Sequence, residues 1–190
     1  MNTAQATASA MLTAGFTLLN GGSGLIYSGT QPSTPETALS GNTELVSATV
    51  AATALSGSIT YSSGYMVGNI ALSSSTLSPI ATGTGTFMRM FQSGGTAAYA
   101  DLTVGNNWLA NEPVVVGQLN INSGNVYRCT TAGTTAASGG PTGTGTSITD
   151  GTAVWTYVAP GTTDVVVSNA YIQQGVNLNV TLAQLKMPAS

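Results

Sequence analysis

The sequence predicts an all-β protein: an antiparallel β-sandwich of jelly-roll type that carries a small inserted three-stranded β module. Two observations predict it. Short β-branched and aromatic runs recur at roughly 8–12-residue spacing between Gly, Ser and Asn turns, with almost no helical patterning, which is how an antiparallel sandwich reads. Charged residues make up only 5 % of the 190-residue chain, against roughly 25 % in an average domain. Hydroxyls, amides and backbone must therefore cover its surface.

In chain order, Met1 to Gln5 read as a loose arm. A strand is expected over Ala6–Leu19, because Thr7, Thr13, Gly15 and Thr17 outweigh the helical character of the alanines, Met11, Leu12 and Leu18; a short helix is the alternative. Gly21-Gly22-Ser23-Gly24 closes that element as a turn. LIYSG follows as a strand, broken by the Pro-punctuated loop Gln31–Pro35. TELVSATVAA alternates as a strand with Leu45 inward. GSITYSSGYMVGNIAL gives two runs around Ser62-Ser63-Gly64, a hairpin signal. GTGTFMRMFQS is the strongest strand of the host domain, with Phe87, Arg89 and Phe91 on one face and Met88 and Met90 on the other, so it belongs centrally in a sheet or between two sheets. AAYADLTVG, DVVVSNAYI and NLNVTLAQLKM complete the set.

The stretch from Pro113 to Val158 interrupts this series. VVVGQLNI and NVYRCTT form a hairpin on Asn122-Ser123-Gly124, and AVWTYV arrives as a third strand after the polar loop Ala132–Gly151. The simplest arrangement makes residues 106–161 an insertion in a host domain built from 1–105 plus 162–190. Alternation places Tyr127 and Cys129 on one face of their strand, and Trp155 and Tyr157 share a face. Either Tyr127, Trp155 and Cys129 form the one core cluster so small a sheet can bury, or some of the aromatics Trp108, Tyr127, Trp155 and Tyr157 face outward as a platform for a sugar or protein partner.

GNVYRCTTAGTT, with Tyr127 and Cys129, followed by PTGTGTSITDGTAVWTYV, resembles the Gly/Thr-rich β modules of tailed-bacteriophage virion proteins. Those modules occur in tail fibres, head fibres and capsid decoration proteins, and are distantly similar to chitin-binding-type modules. The match covers about a quarter of the chain. GLIYSGTQPSTPETALSGNTELVSATV and NAYIQQGVNLNVTLAQLKMP resemble the body of small phage head-associated proteins. The wealth of threonine and alanine in the module departs from a sugar-binding pattern.

Composition narrows the function classes. Histidine is absent, and the acids Glu36, Glu44, Asp101, Glu112, Asp150 and Asp164 are dispersed among turns and strand ends, where solvated roles are expected. No nucleophile–base pair or zinc ligand set is legible, so no enzymatic activity, metal or cofactor is expected. Three basic residues, Arg89, Arg128 and Lys186, in a chain of net charge −3 do not make a nucleic-acid surface. No apolar run approaches the ~20 residues of a membrane span, and the N-terminal segment lacks the basic region of a secretory signal. Cys129 is alone and reads as a small buried filler.

Together with the resemblance, these features imply a structural virion protein made in the host cytoplasm. It would be a capsid decoration or cement subunit, a dimer or trimer bound to the major capsid protein on the head surface. The alternative is a head- or tail-fibre adhesin that takes host-surface glycan on the aromatics named above.

Overall fold

A computed structural model describes residues 4–189. Met1–Thr3, most of the expected arm, and Ser190 lie outside the described residues. The chain begins with helix α1 (Gln5–Leu19) and continues through β1 (Ser23–Tyr27), β2 (Glu44–Ser62), β3 (Tyr65–Leu72), β4 (Thr76–Leu77), β5 (Gly83–Thr84), β6 (Phe87–Phe91) and β7 (Ala98–Asn107). Six further strands follow: β8 (Pro113–Val114), β9 (Leu119–Asn122), β10 (Asn125–Thr131), β11 (Gly133–Thr134), β12 (Ile148–Asp150) and β13 (Ala153–Pro160). The last three are β14 (Val165–Val167), β15 (Tyr171–Ile172) and β16 (Leu178–Pro188).

The all-β expectation holds, but the main sheet closes on itself. Pairing runs β7-β14-β16-β3-β2-β1-β6, and β6 pairs back onto β7, so seven strands form a barrel where the sequence predicts a sandwich. Closure removes the unpaired edges that a sandwich keeps. Cross-strand partners trace the interior: Ile26 faces Val46 and Met88, Met88 faces Leu102, Val104 faces Val165, and Val165 faces Ala183. All of these are buried in one cluster. The β6 side chains from Phe87 to Met90 are buried on both faces, as expected for a strand between two neighbours.

The first element is a helix, which corrects the strand expected over Ala6–Leu19. Ala8, Leu12, Phe16 and Leu19 recur at helical spacing and are buried in the barrel cluster. Burying this stripe overrides the modest helix propensity of the threonines, two of which bond back to the preceding turn, Thr13 to Ser9 O and Thr17 to Thr13 O. Phe16 lies directly on Gly68 of β3, where any Cβ would run into its ring. On its outward side α1 carries no charge, and Met11 and Leu18 are half exposed there.

Both predicted hairpins form. Ser63-Gly64 and Ser123-Gly124 adopt positive φ at both positions, the conformation that a two-residue turn between twisted strands needs.

The segment between β7 and β14 is the crossover that their parallel pairing requires. Its sheet has four strands, β12-β13-β10-β9, one more than expected, and a separate pair, β8–β11. It does not hang on a free tether. Strand β9 runs parallel to β7 through Asn106↔Asn120 and Asn107↔Ile121, taking the edge that β6 leaves after Thr103. Its apolar core, Val114, Tyr127, Cys129, Ala153 and Trp155, is distinct from that of the barrel.

Candidate functional site

The four aromatics named from the sequence divide into two pairs. Trp155 and Tyr127 are 0 % and 1 % exposed and fill the module core with Cys129. The Tyr127 ring meets Tyr157 edge-on at 6.0 Å, and its hydroxyl donates to Gly143 O at 3.2 Å. Tyr157 and Trp108 are half-buried. Trp108 donates from Nε1 to Asp150 Oδ2 at 2.8 Å. Trp155 and Tyr127 therefore present no stacking surface. Cys129 is buried, and burial pushes its thiol pKa up.

The polar loop Ala132–Gly151 is pinned over this core through its backbone. Asn122 Nδ2 donates to Gly139 O and Pro141 O, and Asp150 Oδ1 accepts from Ala136 N.

Four of the six acids are not the solvated groups expected. Asp101 makes a buried two-pronged pair with Arg89, at 2.7 Å from both Nε and Nη2. Asp150 is 4 % exposed. Asp164 pairs with Lys186 at 3.0 Å and binds Thr103 through both its backbone N–H and its hydroxyl. Glu112 is buried where the module meets the barrel, within an amide cage. Asn106 Nδ2 of β7 donates to both of its carboxylate oxygens, at 3.1 and 3.2 Å, and Gln118 Nε2 and Asn120 Nδ2 donate from the module at 3.5 and 3.4 Å. Sequence offered one signal for this cage, the alternation of Gln118 and Asn120 on one strand face next to Asn106, but not its burial.

Burial raises the Glu112 carboxyl above its ordinary 4.5, against the three amides, which pull it down. A carboxyl with a raised folded pKa binds its proton more tightly folded than unfolded. Its contribution to stability is thus present below pH 4.5 and is lost as pH rises through the raised value. Glu112→Gln never ionises. Melting of the two proteins across pH 4.5 to 7 is expected to show the wild type losing stability relative to Glu112→Gln as pH rises; parallel curves would contradict the shift.

Two clefts flank the joint. One, of 710 Å³, lies between the barrel segment Ser28–Pro32 and the module face that carries Arg128 and Leu119. The other, of 660 Å³, lies between Tyr65, the Asp164–Lys186 pair and Pro160-Gly161. Among the described residues no group of three or more His, Cys, Asp or Glu could hold a metal ion, and no helix is long and apolar enough to cross a membrane. No family model, curated protein or solved structure matches the chain.

Proposed function

We propose that this protein is a decoration or cement subunit that covers the outer surface of a bacteriophage head, binding the major capsid protein and further copies of itself as a dimer or trimer. The observation that carries the reading is the state of its charges. Of nine charged side chains, Arg89, Asp101, Glu112 and Asp150 are buried, which leaves five to an accessible surface of 8844 Å². So little charge keeps few neighbours away and costs little to desolvate in a joint between subunits. Barrel closure and the three-residue edge strand β12 limit unplanned strand pairing in so weakly charged a protein.

The outer face of α1 is one such joint. Its open side carries no charge, and the exposed Met11 and Leu18 lie two turns apart there among alanines and threonines, apolar surface that such a joint would cover. Multivalent contacts across a lattice convert modest affinity per copy into stable coating. The fibre-adhesin reading keeps less support, because Trp155 and Tyr127 are core residues.

The test is co-sedimentation with heads stripped of accessory proteins. Saturable binding at a copy number matching the lattice is expected, and absence of binding would overturn the proposal. Met11→Lys/Leu18→Lys changes only solvent-facing positions, so it should melt within about 0.5 kcal/mol of the wild type. Its binding to heads is expected to fall at least tenfold.

A further inference from the structure

The one cation without a carboxylate partner among the described residues faces the larger cleft. Arg89 is paired with Asp101 and Lys186 with Asp164, whereas Arg128 makes no side-chain bond to the described chain. It projects from the module sheet on the side opposite the Tyr127–Trp155 core, because its cross-strand partners are Leu119 and Thr156. Across the cleft lie Thr30, Gln31 and Pro32 of the loop after β1, and Val116, 64 % exposed, stands at the rim. No carboxylate lines the cleft. The side-chain polar groups of Thr30 and Gln31 are likewise without a bond to the described chain, while the hydroxyl of nearby Thr86 is committed to Gly29 O at 2.6 Å.

We infer that this cleft binds an acidic saccharide, with the Arg128 guanidinium taking the sugar carboxylate and Thr30 and Gln31 taking its hydroxyls. Each part of the ligand has a counterpart. A guanidinium meets a carboxylate through two parallel N–H···O bonds, a geometry that an ammonium cannot offer. Hydroxyl and carboxamide side chains donate and accept, as a sugar hydroxyl does. Pro32, Val116 and Leu119 supply apolar surface for the C–H face of the ring. The volume of 710 Å³ falls in the roughly 300–1,000 Å³ range of small-molecule sites, which favour interfaces between units of a chain. One guanidinium offsets one negative charge, which suits a carboxylate better than a phosphate dianion. The inference stands apart from the role on the phage head, since either can hold without the other.

The test is titration of the full ¹⁵N-labelled chain with methyl β-glucuronide, followed by NMR. Saturable shifts at Thr30, Gln31, Val116 and Arg128 are expected, with a dissociation constant on the order of 1 mM, about −4 kcal/mol. Arg128→Gln, at an exposed site, should keep the wild-type melting temperature and weaken binding at least tenfold. Arg128→Lys should recover only part of the loss. Absence of saturable shifts, equal binding by Arg128→Gln, or equal binding of the neutral methyl β-glucoside would overturn the inference. Acetate shifting the same residues with equal affinity would also overturn it, because recognition would then stop at the carboxylate.

Discussion

Asp101→Ala is expected to destabilise the protein by about 3–5 kcal/mol, since removing one partner of a buried ion pair strands the other charge. Arg89 and Asp101 face each other across β6 and β7, with side chains 5 % and 3 % exposed. The same guanidinium also holds the Pro-punctuated loop against the barrel, donating to Thr37 O at 2.9 Å and to Thr34 O at 3.5 Å. Chemical denaturation should therefore show a much lower midpoint, and hydrogen exchange should show early opening of residues 31–40. The double change Arg89→Met/Asp101→Leu leaves no charge buried between β6 and β7 and should restore most of the loss, while the loop stays loosened. A double variant as unstable as the single one would mean that the loop ties, not the stranded charge, dominate.

Trp155→Ala carries a similar penalty, about 3–5 kcal/mol, but in a different place. Trp155 is the largest fully buried side chain of the chain, and it centres a core that shares no residue with that of the barrel. Its Nε1 has no hydrogen-bond partner, so packing supplies its contribution. Truncation is expected to unfold the module and leave the barrel standing. Calorimetry should resolve two transitions where a single one is expected of the wild type, and limited proteolysis should cut first within residues 132–147. A single transition, lowered as a whole, would mean that the Glu112 cage and the β7–β9 pairing couple the two cores rigidly.

These two positions also show how far the sequence can be read. The Arg89–Asp101 pair was not legible, because the hairpin pairs Phe91 with Ala98 at its turn, a register that alone would set Arg89 opposite Ala100, and an irregularity between Met90 and Phe91 moves Arg89 onto Asp101. The hairpins at Ser63-Gly64 and Ser123-Gly124 were legible because a two-residue turn with positive φ has a local signature. Barrel closure was not legible. It depends on the non-local pairing of β1 with β6 and on the parallel entry of β14 beside β7, and neither leaves a trace in strand spacing. The helix was obscured by Thr7, Thr13 and Thr17, which sit on its exposed face, while the informative positions were Ala8, Leu12, Phe16 and Leu19. Burial of Glu112 and Asp150 is a property of the assembled joint, and no run of neighbouring residues announces it.

The most direct measurement of the cementing role is the temperature at which stripped phage heads release their DNA, with and without the protein added back at saturation. A higher release temperature on re-coating, absent with Met11→Lys/Leu18→Lys, is the predicted result. Heads that bind the protein saturably yet release their DNA at the unchanged temperature would contradict a cementing role.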